Sequence, residues 1–337
     1  MPSPQATVIV PTLEGGENLE QCLAALGAQT LSDFEVIVVD NSGRGVAAAL
    51  GRPGVRVIEN PSNVGFGAAV NQGIGTARGE FVCTLNDDAF ADPRWLAELI
   101  AACRSDGGVG MCASQIRLAE SPELLDSAGM QLYADGSSKQ RGRMGPASAF
   151  GSREEVLLPS ACAALYRVEM LDQVGRFDPD FFLYCEDTDL GLRARRAGWS
   201  CLYAPSAVVY HHYSGSAGRA SAAKAFYVER NRLYTVIKNF PVWTWPAVPL
   251  YSLVRYAMHL WGLATGRGLA WEFQRGEEKW WKLGIIALSA NFEALRRLPM
   301  LLGKRRRAAK SAAMSGGEFW RLLRRHSITA RQVAWQK

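Results

Sequence analysis

Short apolar runs alternate with stretches in which apolar residues recur every three or four positions, and this rhythm holds from residue 7 to about residue 113. Residues 7–10 form an apolar run stopped by Pro11, and Leu19, Cys22, Leu23 and Leu26 then fall at helical spacing within residues 18–28. A strand followed by a helix is predicted. Residues 34–39 are apolar throughout except for Glu35 and end at Asp-Asn-Ser-Gly, the pattern of a strand buried on both faces with a turn at its end. Residues 55–58, 81–85 and 109–113 repeat the pattern, with helical spacing over 67–77 and 93–103 between them. The chain is therefore expected to be α/β, with right-handed βαβ units building a mostly parallel sheet covered by helices on both faces.

The alternation fails after about residue 114. Residues 115–159, rich in Gly, Ser and charge, predict loops with a hairpin near 132–136 and mobility near 139–143. Regular structure resumes with an apolar run at 161–166, a short helix at 168–174 and an amphipathic helix at 188–197 stopped by Gly198. A strand at 201–210, interrupted by Pro205, brings His211 and His212 to a loop, and a long helix over 220–239 ends before Pro241. Trp95, Trp199 and Tyr203 are read as core, and Arg193, Arg195 and Arg196 as a solvated helix face.

Charge divides the chain in two. The net charge of +6 combines a body, residues 1–240, holding 21 Lys and Arg against 27 Asp and Glu, with a tail, residues 241–337, holding 17 against 5. An acidic body excludes a protein that wraps nucleic acid over its whole surface. In the tail, residues 241–254 carry no charge but do carry Trp243, Trp245 and Tyr251, and residues 283–292 form a second charge-free run. Neither reaches the roughly 20 apolar residues that cross a bilayer as a helix. Seven basic residues and no acid follow between Arg296 and Lys310. Helices of this composition suit an anionic membrane interface, where each basic residue contributes about 1 kcal/mol; packing on the body or in an oligomer is the alternative. The seven cysteines show no CxxC spacing, and residues 1–5 lack the basic and apolar segments of a secretory signal, so a cytoplasmic location is expected.

Acidic residues sit where the apolar runs end: Asp40 after 34–39, Asp87 and Asp88 after 81–85, and Glu186 with Asp187 before an amphipathic stretch. Carboxylates at the carboxyl edge of a parallel sheet reach the crevice in which such sheets bind ligands. A divalent cation takes oxygen ligands and bridges carboxylate to phosphate, which makes Asp88 a candidate metal ligand.

The ordered segments Val8-Ile-Val-Pro-Thr12, Val36-Ile-Val-Val-Asp-Asn-Ser42, Asn63-Val-Gly-Phe-Gly-Ala-Ala-Val-Asn71, Thr84-Leu-Asn-Asp-Asp88, Glu186-Asp-Thr-Asp-Leu190 and Val209-Tyr-His211 resemble the motifs of family 2 glycosyltransferases. The bacterial rhamnosyltransferase-like enzymes of surface-polysaccharide synthesis are the subset most resembled. The resemblance implies a GT-A fold over residues 1–240, with a nucleotide-binding part to about 114 and an acceptor and catalytic part over 115–240; the composition of residues 241–337 adds a helical, membrane-associating tail. It implies an inverting transfer, dependent on Mn²⁺ or Mg²⁺, from a UDP- or dTDP-sugar to a lipid-linked or glycan acceptor. The enzyme would sit peripherally on the inner face of the cell membrane, with no nucleic-acid partner.

Carried over by position, the resemblance places Pro11, Thr12 and Glu14 beside the nucleotide and has Asp40 accept from the imide N–H of uracil or thymine, capping of the Ser42 turn being the other role open to it. Asn63, Gly65, Gly67 and Asn71 would shape a loop against nucleotide or sugar. Arg78 would face the diphosphate or end a helix in solvent. The family's DxD element falls on Asn86-Asp87-Asp88, so Asn86 replaces its first acid. Asn86 and Asp87 would then contact the donor and Asp88 the metal, with His211, or His212 one residue on, completing the metal or diphosphate site. Asp187, paired with Glu186, would be the general base, and Asp189 would cap the following helix. Two other classes fit less well. A sugar-nucleotide pyrophosphorylase needs a basic, Gly-rich loop where residues 12–17 carry two glutamates; a nucleic-acid-binding or scaffold protein would use only the basic tail.

Overall fold

The computed structural model describes residues 3–212, 221–275 and 279–336. Its first apolar runs become strands β1 (Ala6–Thr12), β2 (Phe34–Asp40), β3 (Val55–Glu59) and β4 (Phe81–Leu85), parallel and in the spatial order β3-β2-β1-β4. Helix α1 (Gly16–Gly27) joins β1 to β2 and α2 (Phe66–Thr76) joins β3 to β4. A short β5 (Ala89–Ala91) and α3 (Trp95–Arg104) then lead to β6 (Val109–Leu118). Because successive strand side chains point to opposite faces, Val8, Val10, Val38 and Cys83 meet Leu19, Leu23, Trp95 and Leu99 on one face. Ile9, Ile37, Val39 and Val82 meet Val70 and Ile74 on the other. Burying each such side chain stabilises the fold by about 1.5–3 kcal/mol.

The region expected to be irregular contains pairing of its own. Strand β7 (Ser121–Ser127) folds back on β6, β8 (Met130–Leu132) and β9 (Ser138–Gln140) form the expected hairpin, and β10 (Glu154–Glu155) pairs with a later strand. The turn after β9 is held rather than loose: Arg141 N donates to Gly129 O and Gly145 N to Gly142 O, both at 2.8 Å. Strand β11 (Ala163–Arg167) follows, then α4 (Val168–Val174), α5 (Glu186–Arg196) and β12 (Ser200–His211). Pro205 lies within β12 at a break in register between Ala204 and Val208, as expected for a residue with no N–H to give the ladder.

Among the described residues the sheet has ten strands, and its one insertion decides where the site lies. β11 runs antiparallel to both β4 and β6, while β12 is parallel to β6. Two reversals cancel. The carboxyl end of β12 therefore lies at the same edge as the carboxyl ends of β1, β2 and β4, and so does the amino end of β11, where Ala163 faces Leu85.

The chain divides into two compact units, the sheet and its helices forming one; Gln131–Lys139 and the later helices form the other. These helices are α6 (Ala222–Asn239), α7 (Val248–Ala264), α8 (Gly268–Arg275), α9 (Lys282–Arg296), α10 (Leu298–Ala308), α11 (Gly316–Arg325) and α12 (Ala330–Trp335). Residue 220, the expected start of α6, lies outside the described residues. A buried charge cluster organises this unit. Asp135 accepts from Arg255 Nε at 2.6 Å, Arg255 donates to Glu229 Oε2 at 2.8 Å, and Arg232 also pairs with Glu229. Burial by itself would raise the Glu229 pKa, but Arg255 and Arg232 outweigh it and hold it at about 2.

Apart from Met144, every exposed large hydrophobic side chain among the described residues lies between Val242 and Leu295. No helix of the described residues is long and apolar enough to cross a membrane.

Candidate active site

Strand β4 ends at Leu85, and Asn86, Asp87 and Asp88 form the turn beyond it. That turn is pinned from two sides: Asn86 N donates to Cys162 O at 2.8 Å, just before β11, and His212 N donates to Asp88 O at 2.9 Å, just after β12. Asp87 turns toward β1, where Thr12 Oγ1 donates to its Oδ2 at 2.5 Å and accepts from Gly15 N at 3.0 Å. Burial raises the Asp87 pKa to about 6, with repulsion from Asp88 adding to the rise and the Thr12 hydroxyl opposing it.

Asp88 turns toward β12. Its Oδ1 lies 3.2 Å from His211 Nε2, while His211 Nδ1 lies 2.9 Å from Asp126 Oδ2 on β7. Arg143 pairs with the same Asp126 carboxylate. Burial opposes a charge on the His211 imidazole, but Cys162 and Asp88 favour one and raise its pKa well above 6.5. His212, the neighbouring candidate, points elsewhere: its side chain is 40% exposed and its ring meets Phe90 edge-on.

Glu186 and Asp187 open α5, two residues earlier than the apolar pattern suggested. Asp187 accepts from Thr188 N at 2.6 Å and from Ala161 N at 3.3 Å. Since Ala161 adjoins Cys162, this second bond places Asp187 beside the Asn86–Asp88 turn. Burial raises the pKa of both acids. Glu186, 6% exposed, is pushed to about 8 with help from the Asp187 charge, while backbone N–H groups of Ala161 and Thr188 restrain the rise at Asp187.

The segment before these acids is strained. Phe182, Tyr184 and Cys185 have φ of 63°, 70° and 66°, in the left-handed region that non-glycine residues seldom occupy. What holds it is the turn at Asn63–Gly65 and the first turns of α2, on which Gly67 and Asn71 lie rather than in the loop expected. Phe66 N donates to Phe182 O at 2.9 Å, and the two groups of the Asn71 amide bond the Phe177 backbone at 2.7 and 3.1 Å. Asn63 Oδ1 accepts from Gly65 N at 2.8 Å and shapes the turn. A Cβ on Gly65 would stand 2.5 Å from Phe182 O, and one on Gly67 3.1 Å from Phe177 Cβ. The close approach that these glycines permit is thus to the segment presenting Glu186 and Asp187. Gly65→Ala, with φ at 87° as well as the clash, is expected to cost roughly 1–3 kcal/mol and to lower activity; a wild-type melting curve and rate together would refute this.

Other expected residues are placed differently. Asp40 is 1% exposed, and its two carboxylate oxygens accept from Ser42 N at 2.8 Å and Ala47 N at 2.9 Å, so it closes the turn after β2. Burial would raise its pKa, but these backbone bonds lower it. Pro11 lies at the edge opposite Val39, and Glu14 is on the surface, paired with Arg44 at 3.1 Å. Arg78 is not at this edge. Its guanidinium pairs with Glu35 at 2.8 Å and its N–H reaches Thr7, five residues and about 16 Å down β1 from Thr12. Asp189 does not cap α5 but pairs with Arg193 at 3.0 Å inside the protein. Arg193 is no solvated residue either, since it donates to Val174 O, Gly175 O and Arg176 O; Arg195, 2% exposed, pairs with Glu155.

Residues 7–175 match the model of glycosyl transferase family 2. The chain belongs to that family. It is 31% identical over 241 residues to N-acetylglucosaminyl-diphospho-decaprenol L-rhamnosyltransferase of Mycobacterium tuberculosis, covering 64% of this chain and 78% of that one. It is 27% identical over 350 residues to the O-antigen biosynthesis protein RfbC of Myxococcus xanthus, covering 98% of this chain and 26% of that one. Two solved structures share its fold. GalNAc-T7 with UDP, GalNAc and Mn²⁺ superposes with a TM-score of 0.60 at 14% identity, over 76% of this chain and 51% of that one. A mannosyltransferase from Pyrobaculum calidifontis with GDP-Man and Mn²⁺ gives 0.54 at 16%, over 92% and 86%. The glycosyltransferase therefore has the GT-A fold.

Among the described residues no three His, Cys, Asp or Glu side chains converge to hold a cation unaided. Asp88 Oδ1 and His211 Nε2, 3.2 Å apart, nevertheless fit two neighbouring positions of an octahedral ion, which lie about 3 Å apart at ~2.1 Å bonds. Such ions commonly take their remaining ligands from substrate phosphate and water. Sequence reasoning missed Asp126, Arg143 and the Ala161 amide. No motif marks them, and Asp126 and Arg143 fall in the stretch read as loops.

Proposed function

We propose that this glycosyltransferase is an inverting enzyme that moves a sugar from a UDP- or dTDP-sugar to a hydroxyl of a lipid-linked or polysaccharide acceptor in cell-surface glycan synthesis. L-Rhamnose from dTDP-rhamnose is the preferred donor, on the strength of the similarity to the mycobacterial enzyme. The observation that carries the reading is the gathering of Asp88, His211 and Asp187 at one carboxyl edge, with residues 161 and 162 as the link.

Asp187 takes the proton of the acceptor hydroxyl while that oxygen bonds to the anomeric carbon and the bond from this carbon to the diphosphate oxygen breaks. Glu186, neutral near pH 7, adds no competing negative charge, so the environment separates the two carboxyls into distinct roles. Asp88 and His211 would hold Mn²⁺ or Mg²⁺, and the bound ion supplies positive charge to offset that left on the departing diphosphate. Asn86 and Asp87 face the donor, and Thr12 orients Asp87. In the helical unit, exposed Trp243, Trp261, Leu288 and Phe292 together with the basic residues of 296–310 suit binding to the anionic inner face of the cell membrane, where a lipid-linked acceptor is met.

The test is transfer from dTDP-rhamnose, and from UDP-linked galactofuranose, galactose or N-acetylglucosamine, to a polyprenyl diphosphate-sugar acceptor in vesicles with or without anionic lipid. Transfer is expected to invert the anomeric centre, to fall to background in chelator and recover with Mn²⁺ or Mg²⁺, and to be faster on anionic vesicles. Full activity in chelator would remove the metal role of Asp88. Retained configuration would remove Asp187 as the base, and equal rates on both vesicles would remove the membrane role of the tail.

A further inference from the structure

His211 is held at both ring nitrogens, and the partner on the side away from Asp88 is built in. Asp126 is 3% exposed, 85 residues distant in sequence, and places Oδ2 2.9 Å from His211 Nδ1. It reaches this position because β7 folds back antiparallel on β6, with Ser127 opposite Ile116, while His211 lies opposite Leu118 on the other side of the same strand. β6 thus carries the acid on one flank and the imidazole on the other. Arg143, its side chain 9% exposed, pairs with Asp126 from the turn after β9 and offsets the cost of an ionised carboxylate in this setting.

We propose that Asp126, steadied by Arg143, is a positioning residue that fixes the His211 ring with Nε2 turned toward Asp88. The proposal rests on the reading of Asp88 and His211 as the cation site. Its physical content is the bond at Nδ1: an acceptor there keeps a hydrogen on that nitrogen, so a cation arriving at Nε2 displaces the proton on that side and takes its lone pair, the arrangement by which outer carboxylates orient ligating histidines. In this chain the need is pronounced. Asn86 stands where the family element carries its first acid, so among the described residues the imidazole is one of two side-chain donors at this site, and an imidazole free to rotate would leave Asp88 without it.

The experiment measures Mn²⁺ binding without turnover, by electron paramagnetic resonance with UDP or dTDP present, in the full chain. Asp126→Ala is expected to weaken Mn²⁺ binding about 10–100-fold and to raise the Mn²⁺ concentration for half-maximal transfer by a similar factor, with kcat at saturating Mn²⁺ near wild type. Asp126→Asn, whose amide oxygen still accepts from Nδ1–H, is expected to stay within a few-fold of wild type. An Asp126→Leu, Arg143→Met double variant removes both charges together, so it leaves no buried guanidinium stranded if Asp126→Ala folds poorly; the same loss is expected. Wild-type Mn²⁺ affinity in a folded Asp126→Ala or double variant, with His211→Ala impaired, would overturn the positioning role alone. Undiminished affinity in His211→Ala, or no Mn²⁺ binding by the wild-type protein, would overturn the cation site and this inference with it.

Discussion

Asp187→Asn should lower kcat by about 10²–10⁴-fold, the range over which a positioned general base contributes, while donor binding persists. The side chain keeps its place in the variant, because an amide oxygen can still accept from Thr188 N, now 2.6 Å from Asp187 Oδ1. What is lost is the ability to take a proton. Calorimetric titration with dTDP or UDP and Mn²⁺ would show retained binding beside the lost rate. A variant turning over within a few-fold of wild type would exclude Asp187 as the base. The wild-type pH profile carries a related expectation. Burial raises the Asp187 pKa, so the acidic limb of kcat should lie above the ordinary carboxylate range, and activity should fall as pH drops through it.

Glu186→Gln should stabilise the protein at pH 8 by on the order of 4–5 kcal/mol and leave it little changed near pH 4.5. Folded, the Glu186 carboxyl has a pKa raised to about 8 by burial and the neighbouring Asp187 charge, against an ordinary value of 4.5. Between those values the folded chain retains a proton that the unfolded chain has released. The stabilisation is therefore complete below 4.5 and is lost as pH rises to about 8, at about 1.4 kcal/mol per unit. Glutamine imitates the neutral acid at every pH, so the variant lacks this slope. Denaturant unfolding of both proteins across that window tests it, and parallel stability curves would refute the burial argument.

The parts of this protein legible along the chain were those set by local pattern. β1, β2 and β4 follow from apolar periodicity, because a strand buried on both faces must be apolar at nearly every position. The acids at strand ends were legible for a related reason, since a charge tolerated beside such a run must lie where the sheet opens. The neighbourhood of each acid was not. Asp189 reads as a helix cap and Arg193 as part of a solvated face, yet four residues along a helix bring them into a buried pair whose arginine also binds three carbonyls of the preceding segment. Arg78 follows the glycine loop closely in sequence, but α2 carries it the length of the sheet to Glu35.

The sequence by itself determined that this is a family 2 glycosyltransferase with acids at the carboxyl edge of a parallel sheet, because alternation, burial and ordered short motifs are encoded within a few residues of one another. Only the tertiary structure decided which of those acids share a neighbourhood. An antiparallel strand between β4 and β6 turns the end of β12 toward Asp88, and a doubled-back β7 supplies Asp126 to His211. Strand direction and pairing depend on contacts between segments tens of residues apart, and a hydrogen bond spanning 85 residues has no local periodicity to announce it.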